Sequence, residues 1–214
     1  LQRAINNNHP NVLALTERVA RTLIEQIDTL SRIASEFSNF AQMPKPMNDV
    51  LDFKLIIDNS VNLYKDTDDD EVNIYALLPK EKCFVFADKD QLLRVFNNLI
   101  KNAIQAIPDD RDGVIMVKMT QEEGRVKVEV NDNGSGIDDE KREKVFVPNF
   151  TTKNSGMGLG LAMSRQIVET AKGKIWFETI VNEGTSFFVE LPTIESEADD
   201  DDDDLYVASS SSSS

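Results

Sequence analysis

Residues 88–131 read DKDQLLRVFNNLIKNAIQAIPDDRDGVIMVKMTQEEGRVKVEVN, and this stretch decides the fold. Asp88, with Gln91 three residues on, resembles a capping box and opens a helix. Leu92, Phe96, Leu99, Ala103 and Ile107 recur at three- and four-residue spacing, the buried face of that helix, which Pro108 stops after Ile107. Residues 113–121 and 125–131 then alternate apolar and polar around Glu123-Gly124, the pattern of a hairpin. Upstream lie a helix over 52–65, an acidic turn at 66–70 and short strands near 72–78 and 83–86. Downstream, residues 138–156 are irregular and too long for a routine connection, which suits a functional lid. A helix over 158–172 ends at Gly173, and strands at 174–181 and 185–191 flank Asn182-Glu183-Gly184. Strand and helix alternate without a βαβ rhythm. The expected class is α+β, a two-layer sandwich in which helices cover one face of a mixed sheet.

One long helix precedes that domain. Over residues 10–42, Val12, Leu15, Val19, Leu23, Ile27, Leu30, Ala34, Phe37 and Ala41 keep a period close to 3.6. Pro10 suits its first turn, and Pro44 and Pro46 enforce its stop. A stripe of that length needs a second helix, which must come from upstream of Leu1 or from another copy. Met43-Pro44-Lys45-Pro46 is the domain boundary, dividing residues 1–46 from a domain over 47–194. Residues 195–214, an acidic block followed by poly-Ser, are expected to be disordered.

The chain has 214 residues, 40% of them hydrophobic, enough for a sizeable core. Its net charge is −15; the eight acids of residues 195–214 account for part of this and leave −7 for residues 1–194. Moderate acidity argues against binding a nucleic-acid backbone, which needs clustered cations. Cys83 is the only cysteine, so no internal disulfide forms, and its apolar neighbours read as core. No apolar run approaches the ~20 residues needed to span a bilayer.

Four motifs carry chemistry. On the helix over 88–107, Arg94, Asn98, Lys101, Asn102 and Gln105 project away from the buried stripe. Asn98 and Asn102, four apart, are neighbours and offer neutral carbonyl oxygens of the kind Mg²⁺ accepts. Asn131-Asp132-Asn133-Gly134-Ser135-Gly136-Ile137 follows a strand; Asp132 suits an exocyclic amine, and Gly134 and Gly136 let backbone approach a flat base. Val145 to Lys153 forms an aromatic-anchored segment in which Thr152 and Lys153 suit phosphate oxygens. Gly156-Met157-Gly158-Leu159-Gly160-Leu161 opens a helix with bare backbone N–H groups, a ready phosphate site.

In order, these resemble the asparagine, first glycine, phenylalanine and second glycine boxes of the histidine kinase ATPase domain, which shares a superfamily with gyrase, MutL and a heat-shock chaperone. The boxes read NNLIKNA, DNGSGI, VFVPNFTTK and GMGLGL, and GTSFFVELP is similar to the family's closing hairpin. LIEQIDTLSRIASEFSNFAQMPKP (residues 23–46) resembles the second dimerisation helix of nitrogen-regulation-type sensor kinases, and NAIQAI and the TTK lid are similar to the same branch. The resemblance implies ATP and Mg²⁺ as cofactors, with γ-phosphoryl transfer to a histidine and relay to the receiver domain of a response regulator. It implies Asn102 on Mg²⁺, Asn98 beside the phosphates, Asp132 on the adenine amine and Thr185 in support. It also implies Lys101, Gln105, Ile137, Phe150, Thr152, Lys153, Leu159 and Leu161 around the nucleotide, with Gly134, Gly136, Gly156, Gly158 and Gly160 shaping pocket and lid. A homodimer through the helical hairpin and a cytoplasmic location, free or as part of a membrane-anchored sensor, follow by the same resemblance.

Two departures stand out. The family's phosphoacceptor motif is absent; His9, the only histidine, sits in Asn8-His9-Pro10 at a helix start, so the first hairpin helix is expected upstream of Leu1. Where many members place a basic residue three positions after the Mg²⁺-binding Asn, this chain has Gln105. The alternatives to a kinase fragment are a nucleotide-binding dimerisation module without kinase activity and a chaperone- or MutL-like ATPase.

Overall fold

The computed structural model describes residues 12–41, 45–65, 72–148 and 158–194. His9, Pro10, Pro44, the acidic turn at 66–70, residues 149–157 and the tail at 195–214 lie outside the described residues. The order of elements is α1 (Val12–Ala41), β1 (Asp49–Asp52), α2 (Phe53–Lys65), β2 (Val72–Leu77), β3 (Phe84–Ala87), α3 (Lys89–Ile104), β4 (Gly113–Glu122) and β5 (Arg125–Asp132). It continues with α4 (Asp139–Arg142), α5 (Gly160–Thr170), β6 (Lys174–Ile180) and β7 (Gly184–Pro192).

Five strands form one sheet in the order β2-β4-β5-β7-β6. The β2–β4 pair is parallel and the other pairs are antiparallel, so the sheet is mixed as expected. Alternation decides its faces. Ile115, Val117 and Met119 of β4, Val126, Val128 and Val130 of β5, and Phe187, Val189 and Leu191 of β7 all point inward. They meet Leu92, Val95, Phe96 and Leu99 of α3, Ile167 and Val168 of α5, and Phe53, Ile57 and Val61 of α2 in one core. Each such side chain contributes about 1.5–3 kcal/mol on burial. Residues of opposite parity face outward: Val114 and Met116 are exposed, and Arg125 pairs with Glu190 at 2.8 Å.

β1 pairs with β3 in a separate two-stranded ribbon that the sequence reading did not contain. Asp49-Val50-Leu51-Asp52 is too short, and too acidic, to show an alternation. The ribbon is tied to the main sheet where the Ile194 N–H donates to the Phe84 carbonyl at 2.9 Å. Cys83 leads into β3 and is buried; burial, and secondarily the Asp52 carboxylate, pushes its thiol up to about 11.

The helix expected to reach Ile107 stops earlier. Gln105 N still bonds Lys101 O at 3.1 Å, but Ala106 and Ile107 donate to Ala103 and Ile104. Those three-residue bonds tighten the chain into a turn and end the α-helix at Ile104. α5 starts two residues later than expected, because Gly158 has φ +67, outside the right-handed helix. At its far end Lys172, not Gly173, takes the left-handed conformation (φ 60), and the Gly173 N–H closes the cap on the Val168 carbonyl at 2.9 Å.

The cap of α3 is as read from sequence: one Asp88 carboxylate oxygen accepts the Gln91 N–H at 3.0 Å. Its other oxygen accepts the Met47 N–H at 2.7 Å, fastening the linker to the domain. α1 is 30 residues long, about 45 Å at 1.5 Å per residue, and Val19, Leu23, Ile27 and Leu30 are exposed along it. No helix among the described residues is long and apolar enough to cross a membrane.

Candidate functional site

Asp132 ends β5 and is 3% exposed, so its carboxylate must be satisfied by the protein or by a bound group. One oxygen accepts the Gly134 N–H at 2.9 Å and the Thr185 N–H at 3.2 Å. Thr185 lies directly opposite Asp132 in the β5–β7 register, so sheet pairing itself sets this contact. The carboxylate is thereby fixed in one orientation at the mouth of the sheet. Two expected residues, Asp132 and Thr185, are brought together.

The loop that follows is held from both sides. Gly136 has φ +69, and a Cβ there would sit 2.3 Å from the Ile180 carbonyl, so only glycine fits. The Ile137 N–H donates to the Thr179 hydroxyl at 2.9 Å, and that hydroxyl lies 3.0 Å from Thr185 Oγ1 and from the Gly184 carbonyl. Thr179 was not among the residues read from sequence, yet it joins the loop to Thr185. A threonine in an alternating strand gives no signal of such a role.

Asn98, Lys101, Asn102 and Gln105 occupy the C-terminal half of α3 and its cap. Lys101 and Gln105 are exposed and Asn102 is half-buried. Asn98 is engaged: its Nδ2 donates to Ser164 Oγ at 3.1 Å, and Ser164 Oγ donates to the Gly160 carbonyl at 2.9 Å. A Cβ on Gly160 would lie 2.3 Å from Asn98 Oδ1, so the first turn of α5 packs directly on Asn98. Ser164, 2% exposed, is the second residue that sequence reasoning missed.

The same first turn has Leu159 at its N-cap, with no side-chain hydrogen bond. Leucine has no acceptor, so the leading N–H groups of α5 lack the usual protein cap and suit an anion. Of the expected Gly158, Leu159, Gly160 and Leu161, Gly160 is brought against Asn98, while Gly158 and Leu159 precede the helix that Gly160 and Leu161 begin. Phe150, Thr152, Lys153 and Gly156 lie outside the described residues. The near half of the expected lid is anchored. Phe146 packs 6.0 Å from Phe177 and 6.4 Å from Phe187, with the Arg165 guanidinium 5.7 Å from its ring centre. Among the described residues no cluster of His, Cys, Asp or Glu could hold a metal by itself. A cation here would share its sphere with a ligand, for which the Asn102 carbonyl suits Mg²⁺.

The family profile described as "Histidine kinase-, DNA gyrase B-, and HSP90-like ATPase" matches residues 87–195, which span α3, the Asp132 loop and the closing hairpin. The chain belongs to this ATPase family. Within it, the similar proteins are histidine kinases. Sensor protein kinase WalK of Staphylococcus aureus strain MRSA252 is 30% identical over 189 residues, covering 86% of this chain and 30% of the relative. The catalytic domain of histidine kinase ThkA, in a nucleotide-free form, is 32% identical with a TM-score of 0.61, covering 68% of this chain and 95% of that one. A crystal structure of ThkA in complex with the response regulator TrrA aligns at 25% identity and TM-score 0.63, over 86% of this chain and 52% of that one. The ATPase-family chain therefore spans about a third of the WalK sequence it matches. These relatives and solved structures are histidine kinases, so the chaperone- or MutL-like alternative is not favoured.

Proposed function

We propose that this chain binds ATP with Mg²⁺ as the catalytic part of a two-component sensor histidine kinase, whose γ-phosphoryl goes to a histidine and then to a receiver-domain aspartate. The observation that carries the nucleotide assignment is Asp132, a buried carboxylate oriented by the Gly134 and Thr185 N–H groups. Adenine presents an exocyclic amine that such an acceptor recognises, whereas guanine presents a carbonyl there. Gly134, Gly136 and Ile137 border the base. On this reading the N–H groups of Gly158, Leu159, Gly160 and Leu161 meet the phosphates, and Gly156, Phe150, Thr152 and Lys153 belong to the same nucleotide site. Asn102 offers its carbonyl to Mg²⁺, and Lys101 and Gln105 stand on the same exposed side of α3. Bound magnesium supplies neutralisation of phosphate charge; the chain itself supplies positioning, the main contribution in such transfers.

Residues 1–46 serve as the second helix of a dimerisation hairpin, supported by the exposed stripe of Val19, Leu23, Ile27 and Leu30. The partners are a second copy and a response regulator, the latter supported by the ThkA–TrrA complex. Calorimetry on Asp132→Asn tests the nucleotide reading. The variant replaces a charged acceptor with an amide, and its ATP affinity is expected to drop by ten- to a hundredfold, as loss of a charged hydrogen bond implies. Wild-type affinity in the variant refutes the pocket.

A further inference from the structure

Arg111 lies in the loop between α3 and β4, and none of the four motifs contains it. Its Nη1 donates to the Asn133 carbonyl at 2.8 Å and to the Asn182 carbonyl at 3.1 Å, with a longer 3.5 Å contact to the Gly134 carbonyl. One cation thus touches the loop after Asp132 and the β6–β7 turn, while its own backbone belongs to a third segment. No described carboxylate forms an ion pair with it. The charge is committed to backbone carbonyls, and hydrogen bonds from a charged donor are about twice as strong as neutral ones.

The three segments converge on the base-reading residues. Asn133 Oδ1 accepts the Val114 N–H at 2.8 Å, Ser135 N–H donates to the Ala106 carbonyl at 2.9 Å, and Asn182 N–H donates to the Ser135 carbonyl at 2.8 Å. Asp132 immediately precedes Asn133, and its orienting N–H groups belong to Gly134, in the clamped loop, and Thr185, just past the clamped turn. A shift of the loop against the turn would move these two donors apart, and with them the carboxylate.

We propose that Arg111 is a positioning residue for base recognition, clamping Asn133 and Gly134 against Asn182 so that Asp132 keeps its orientation toward a purine amine. The assignment rests on the nucleotide reading above. Arg111 is half-buried and lies outside the apolar core, so Arg111→Ala opens no cavity in that core.

The test compares wild type, Arg111→Ala and Arg111→Lys in calorimetric titrations with Mg–ATP, and with Mg–GTP by displacement of ATP. Arg111→Ala should lose about tenfold in ATP affinity, the equivalent of one charged hydrogen bond, and its preference for ATP over GTP should shrink. Arg111→Lys, keeping a charged donor, should recover part of both. General loosening would weaken ATP and GTP alike and leave their ratio unchanged; that outcome, or wild-type ATP affinity in Arg111→Ala, overturns the assignment alone. A wild type that binds no ATP overturns the nucleotide reading, and this one with it.

Discussion

Removing the Ser164 hydroxyl should uncouple the two helices that frame the proposed phosphate end of the site. In Ser164→Ala the Asn98 Nδ2 loses an acceptor at 3.1 Å in a seam where Ser164 is 2% exposed. Little water can replace it, so the cost is that of an unsatisfied donor, about 1–2 kcal/mol after partial relaxation. The lost bond from Ser164 Oγ to Gly160 O adds little, because back-bonding to a carbonyl four residues earlier is nearly neutral in a helix. Asn98→Ala should cost less through this bond, because the Ser164 hydroxyl loses only an incoming donor and still donates to the Gly160 carbonyl. For a domain of this size, Ser164→Ala should lower the melting temperature by roughly 3–6 °C. The decisive assay is a double-mutant cycle by urea denaturation of Asn98→Ala, Ser164→Ala and the pair. The double variant should be less destabilised than the sum of the singles, with a coupling of at least about 0.5 kcal/mol. Additivity within about 0.3 kcal/mol would refute the claim that this bond joins α3 to α5.

Gly136→Ala should destabilise the domain by about 1–3 kcal/mol and weaken nucleotide binding, since φ +69 and the Ile180 carbonyl leave no room for a methyl group; an unchanged melting curve would contradict this. Cys83, with its thiol raised to about 11, should resist a thiol reagent at pH 8 in the native state and react on unfolding. Because the folded value is the higher one, the stability that the protonated thiol contributes is full below pH 9 and is lost as pH rises toward 11, a decline that Cys83→Ala should remove. Incubated with labelled ATP, this chain should gain no acid-labile phosphate, as the residue after His9 is Pro10 and not an acid that could orient the imidazole; label that vanishes in His9→Ala would show otherwise.

The parts of the fold written locally were legible in the sequence. Asp88 and Gln91 are three residues apart, and the inward alternation of Ile115, Val117 and Met119 needs no partner to be seen. What sequence could not show are residues whose work is done on distant segments. Ser164 acts on a residue 66 positions away, Thr179 on one 42 away, and Arg111 on carbonyls 22 and 71 away. Each is a common polar residue in an unremarkable context, and only tertiary packing gives it a role. Helix ends were also misjudged, because apolar period continues through Ile107 while the hydrogen-bond pattern has already changed at Ala106.

The Asp132–Thr185 contact links residues 53 positions apart, and it exists only when β5 and β7 have paired in the correct register. A slip of one residue would put a different residue opposite Asp132 and carry the Thr185 backbone N–H away from its carboxylate. On the proposed nucleotide reading, no partly folded chain lacking the closing strand can present the assembled pocket, and nucleotide would report completed folding. A ligand that binds only the native state adds about 2.7 kcal/mol of apparent stability at a concentration a hundred times its dissociation constant. On that reading the long-range strand pair would make the chain's resistance to unfolding, and to proteolysis through its unfolded state, depend on how much nucleotide surrounds it.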